Sequence, residues 1–259
     1  MHADRPRRCI GFTVIDLMAV GVVLVVVVVL VLVAMPMFGG RRGGYSVQMM
    51  NNTQLRGIHQ SFVTFAQSNK RGGNDGYFPG LDGSGDVIPD GPLTGHSGDG
   101  TVPAAAMWMM LEGNFFTPEY MVNPADAHAV ELLIPATGPV PPVTHDNFSY
   151  ALQSLAGHPA ERGEWKEALN TAAPVAGDRA IGTGSADISS VWTARGSGDW
   201  RGGVVENDNS SSYGLDHVFT NTKYGHEPVN PTDDLFEDDP AAADAFLVHE
   251  DATTAYSAR

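Results

Sequence analysis

Oxygen-bearing side chains on alternate positions are the most chemically suggestive pattern in this 259-residue chain. Asp82-Gly83-Ser84-Gly85-Asp86 offers Asp82, Ser84 and Asp86 at the spacing that calcium loops use. The full EF-hand pattern is broken, because Val87 stands where the sharp-turn Gly belongs and Leu93 replaces the bidentate Glu. Asn207, Asp208, Asn209 and Asp216 form a second oxygen-rich cluster. Asp and Asn also build ordinary solvated turns, so calcium and turn formation are alternative readings of both clusters. Catalytic patterns are incomplete. Gly95-His96-Ser97-Gly98-Asp99 fails as a nucleophile elbow because Asp99 replaces the final Gly. No dinucleotide or P-loop fingerprint occurs, and the nine His never take the His-x-x-x-His spacing of helical zinc sites. The chain is therefore expected not to be an enzyme, with calcium the one cofactor to weigh.

The elements that would position such groups must be read from the charge and hydropathy pattern. The chain has 15 Lys+Arg against 30 Asp+Glu, a net charge of −15, which argues against a nucleic-acid partner needing a basic face. Residues 1–44 carry five Arg and two Asp, a net +3, so residues 45–259 carry −18. A basic start followed by an acidic body suggests a membrane-anchored protein with a solvent-facing head. The only cysteine is Cys9, so the body must be held by packing without disulfides.

From Leu17 to Gly40 there are 24 consecutive uncharged residues, with a Val-rich centre from Val22 to Val33. A helix of that length rises about 36 Å, enough to cross a hydrocarbon core of about 30 Å. A secretory signal peptide also starts basic and continues apolar. Here the run is longer than a usual h-region, and Met35-Pro36-Met37-Phe38-Gly39-Gly40 has no small-x-small cleavage site. A plain signal anchor remains an alternative.

Gly11-Phe12-Thr13-Val14-Ile15-Asp16-Leu17-Met18 resembles the prepilin cleavage motif of type IV pilins and type II secretion pseudopilins. The resemblance rests on a short basic leader ending in Gly, on Gly-Phe-Thr, and on an acidic residue five places beyond the cut. It implies that a prepilin peptidase cuts after Gly11 and methylates the amine of Phe12. It also implies that Asp16 pairs with the N-terminal amine of an adjacent subunit during assembly. An acid inside an apolar helix costs roughly 2.5–3.5 kcal/mol and is retained where it has such a partner. Asp16 departs from the family's usual Glu and is one methylene shorter.

Pro36 and the glycines of Gly39-Gly40-Arg41-Arg42-Gly43-Gly44 weaken any helix there. Helical periodicity returns with Val47, Met50, Leu55, Ile58, Phe62 and Phe65, predicting an amphipathic helix over about 45–69. Asn51-Asn52-Thr53-Gln54-Leu55-Arg56-Gly57-Ile58 and Asn74-Asp75-Gly76-Tyr77-Phe78-Pro79 resemble the helix and turn that follow the membrane span in long-headed pseudopilin-like proteins. Phe116-Thr117-Pro118-Glu119 and Asn123-Pro124-Ala125-Asp126 resemble a later segment of the same proteins, with Asn123 standing where a Cys is usual.

Residues 45–259 hold 24 Gly and 15 Pro, which favours short elements and many turns over a helix bundle. Ala104–Leu111 reads as a short helix, and Phe148–Leu152, Trp200–Val205 and His217–Phe219 as strands. The expected fold is α+β and pilin-like: a long N-terminal α-helix, half transmembrane and half amphipathic, packed on an antiparallel sheet. The expected organisation is a leader at 1–11 and a transmembrane half-helix at 12–40. A glycine joint with the amphipathic half follows at 41–71, then a head at 72–226 and an acidic tail or arm at 227–259.

Taken together, these features lead to an expected structural subunit of a pilus or pseudopilus filament. Its partners would be further copies of itself, prepilin peptidase and the assembly machinery. The precursor would sit in the inner membrane as a single-pass protein with its head outside the cytoplasm, before passing to a periplasmic or extracellular filament. The alternative from a different class is a membrane-anchored extracytoplasmic binding protein that never polymerises. Among pseudopilins, calcium is bound near the C-terminal sheet, which gives the Asn207–Asp216 cluster its interest.

Overall fold

The computed structural model describes residues 18, 23–24, 42–70, 76–89, 99–156, 162–167, 173–218, 233–238 and 245–257. Gly11, Phe12 and Asp16, and most of the apolar run, lie outside the described residues. Met18, Val23 and Leu24 are helical and exposed.

Helix α1 runs from Arg42 to Asn69, so it takes in Gly43 and Gly44. Its stripe of Leu55, Ile58, Phe62, Val63 and Ala66 is buried, while Thr53, Arg56, Gln60 and Gln67 face solvent. The spacing of three and four residues places that stripe on one side of the helix. Thr53, Ser61 and Thr64 turn their hydroxyls back onto carbonyls four residues earlier, so these polar groups are satisfied without leaving the helix. Helix α2, Pro103–Glu112, begins with Pro at a position that needs no amide donor. Eight of its ten residues are buried, which fits a short helix that is apolar nearly all round.

Five strands form one antiparallel sheet in the order β5-β4-β2-β1-β6. They are β1 (Tyr150–Gln153), β2 (Pro174–Asp178), β4 (Gly202–Glu206), β5 (Ser211–Gly214) and β6 (Leu247–Val248). A separate parallel pair joins β3 (Ala180–Ile181) to β7 (Tyr256–Ser257). The pleat sends Tyr150, Leu152, Ala176 and Val205 into a core shared with both helices. Alternate residues Ala151, Val204 and Leu247 enter a second cluster with Trp200, Leu235 and Phe236.

The expected architecture is corrected here. Among the described residues there are two α-helices, and neither is a membrane-crossing first half of a long N-terminal helix. At 28 residues α1 is long enough to span a bilayer, but Gln48, Asn51, Asn52, Gln54, Arg56 and His59 make it too polar to do so. No described helix is long and apolar enough to cross a membrane, which overturns the expected single-pass inner-membrane placement. The described chain is dominated by the sheet and its connections instead of a helical spine. The segment expected to be a solvated tail supplies β6 and β7, with Leu235, Leu247, Val248 and His249 fully buried.

Candidate functional site

The chemistry of this molecule concentrates where α1 meets the sheet. Asp178, the last residue of β2, is fully buried. Its Oδ2 accepts hydrogen bonds from Asn51 Nδ2 on α1 (2.8 Å), Trp192 Nε1 (2.8 Å) and the Gly203 amide of β4 (2.7 Å). Its Oδ1 accepts from Asn123 Nδ2 at 2.7 Å. Four neutral donors from four segments thus converge on one carboxylate, and among the described residues no cation is bonded to it. Burial raises its pKa to about 6, against the opposing pull of those hydrogen bonds. Asn51 also accepts from the Tyr150 hydroxyl at 2.9 Å, and burial pushes that phenol well above its ordinary range. Gly203 permits this closeness: a Cβ there would stand 2.6 Å from Leu55 and 2.9 Å from the Asn51 amide.

Two turns further along α1, His59 is clamped by the β4–β5 turn. Its Nδ1 lies 3.2 Å from Asn209 Oδ1 and its Nε2 3.4 Å from Asn207 Oδ1. Asn207 is itself fixed, because its Nδ2 donates to the carbonyls of Glu164 and Lys166, each at 2.7 Å. Burial lowers the His59 pKa, against the opposing pull of Asn207 and Asn209. Asn209 takes a left-handed backbone at φ 65°, which Asn tolerates and which closes the turn.

Next in the chain, Arg179 forms a buried ion pair with Asp126 at 2.9 Å. The Asn123–Asp126 turn therefore serves both charges, with Asn123 on Asp178 and Asp126 on Arg179. His249 is fully buried, with Nε2 3.1 Å from the Phe148 carbonyl, and its pKa is lowered to about 3 by burial and then by the Arg179 charge. These perturbed groups are closed off from solvent, and their geometry is that of clamps joining segments.

The residues singled out for calcium take separate places. Asp82 Oδ1 accepts from the amides of Ser84 (2.8 Å) and Asp86 (3.0 Å), closing its own tight turn. Asp208 Oδ1 accepts from the Ser210 amide at 2.8 Å. Asn207 faces His59, and Asp216 faces His217 Nδ1 at 3.0 Å. Among the described residues no group of three or more His, Cys, Asp or Glu side chains gathers as a metal site. Sequence reading missed Asp178 altogether. The available signal was Asn51 and Asn123, two polar residues in segments otherwise quoted only for their resemblance.

No family model matches the chain, and no curated protein or solved structure matches it either.

Proposed function

We propose that this chain is a structural subunit of a pilus- or pseudopilus-type filament. A prepilin peptidase cuts it between Gly11 and Phe12, and it assembles with copies of itself through the segment that leads into α1. The observation that carries this reading is the division of labour along α1. From Asn51 onward the helix is held to the sheet by the Asp178 and His59 clamps. Its preceding turns present Tyr45 (73 % exposed), Met49 (72 %) and Met50 (55 %) to solvent. Large apolar side chains at the open end of an anchored helix suit burial against another subunit. The leader motif at Gly11, Phe12 and Asp16 supplies the processing step and the pairing acid.

Intact mass and N-terminal sequencing of the protein from its native source test the proposal. A chain beginning at methylated Phe12 supports it, and a chain beginning at Met1 overturns it. A second reading, a binding protein that does not polymerise, is favoured by an uncharged groove beside α1. Asp16→Ala separates the two, since a polymer loses assembly and a monomeric binder keeps its behaviour.

A further inference from the structure

The outer side of α1 forms one wall of a groove of about 500 Å³, and the loop 114–120 forms the other. That volume falls within the range of about 300–1,000 Å³ usual for small-ligand sites. Its lining, in a chain of net charge −15, includes no Asp, Glu, Lys, Arg or His. An ionic ligand would find no counter-charge here, so the occupant is neutral.

The lining combines two kinds of group. Phe115 and the 41 %-exposed Tyr120 offer aromatic surface, and Gln60 and Asn114 offer exposed side-chain amides. Both side chains are exposed, and each amide carries two donors and an acceptor that a ligand can reach. Apolar C–H faces over an aromatic ring, with hydroxyls reaching nearby amides, describe how a sugar is held.

The groove is also preformed. Gln54 Nε2 donates to the Glu119 carbonyl at 2.9 Å, tying the loop to the helix. Phe115 packs edge-on against Phe65 with centroids 5.3 Å apart. Tyr120 lies directly on Gly57, where a Cβ would stand 2.8 Å from the ring. Groups already held in place lose little freedom on binding. We propose that this groove binds a neutral oligosaccharide, with Tyr120 as the stacking platform and Gln60 and Asn114 as the hydroxyl-reading amides. The assignment stands independently of the filament reading, since neither Gly11 cleavage nor assembly enters it.

Saturation-transfer NMR on the full chain with cellotriose, maltotriose and triacetylchitotriose tests it. At least one trisaccharide is expected to bind with a Kd of about 1 mM. Tyr120→Ala and Gln60→Ala are each expected to weaken that binding about tenfold, while Leu133→Ala, outside the groove, leaves it unchanged. Both groove substitutions are at exposed positions, so the fold survives them. Absence of transfer to all three sugars overturns the proposal. So does transfer that persists in both groove variants, or binding confined to an acidic sugar such as trigalacturonate.

Discussion

Asp178 and Arg179 are neighbours in the chain, and they solve the problem of a buried charge in different ways. Arg179 is paired directly with Asp126 at 2.9 Å, so two desolvated charges compensate each other. Among the described residues Asp178 has no such cation and instead collects four N–H donors from α1, β4 and two loops. The first arrangement fails if either partner is removed. The second is distributed, so it organises several segments at once but leaves the ionised carboxylate dearer than in water. The contrast shows that a single Asn-x-x-Asp turn can brace two buried charges by polar contacts of unlike character.

The comparison breaks most sharply at Arg179. Arg179→Met leaves the Asp126 carboxylate buried without its partner and is expected to destabilise the protein by about 3–5 kcal/mol in denaturant unfolding. Recovery of most of that loss in the Arg179→Met/Asp126→Leu double variant would show that the penalty belongs to the orphaned charge.

The next largest effect is a pH dependence. The Asp178 pKa lies above its ordinary carboxylate value, so its contribution to stability is fully present below about pH 4 and is lost as pH rises through about 6. Two pKa units correspond to about 3 kcal/mol. Asp178→Asn is expected to remove that part of the profile measured by urea midpoints from pH 4 to 7. His249 has the opposite sign: its lowered pKa gives stability that is present above about pH 6.5 and lost as pH falls toward about 3. His249→Gln is therefore expected to flatten the acid limb, and wild type shows the difference between the two trends.

A smaller loss, about 1–2 kcal/mol, is expected from Asn51→Ala, which removes one donor from Asp178 and one acceptor from Tyr150. The smallest belongs to Met49→Ser at the exposed end of α1, within about 0.5 kcal/mol of wild type in monomer stability. Under the filament reading the same change reduces assembly, measured by sedimentation of the polymer.

How much of this was legible depended on whether local pattern and burial agree. The stripe of Leu55, Ile58 and Phe62 announces α1, because helical period and core-facing side chains coincide over several turns. β6 and β7 have two residues each, too few to display alternation, and they follow the acidic Asp233–Asp239 stretch that suggests solvent. Their burial arises from pairing with β1 and β3, far back in the chain. Asp178 was illegible for a related reason. A Gly-Asp-Arg triplet looks like a surface turn, and only folding brings Asn51, Asn123, Trp192 and Gly203 around it. The membrane-crossing helix was expected from the apolar run before α1. The described helix beyond it is amphipathic because it serves the sheet.

The position of β6 has a consequence for biosynthesis. β1 is complete by residue 153, yet its outer edge stays unpaired until Leu247 and Val248 have been made, and β3 waits for Tyr256. A nascent chain therefore carries an open β1 edge from the completion of β1 until β6 is made. At about 5–20 residues per second, the roughly 95 residues between β1 and β6 take several seconds. During that interval the edge of β1 is a template for whatever strand comes near, and protection by a holding chaperone matters most before Leu247 and Val248 arrive.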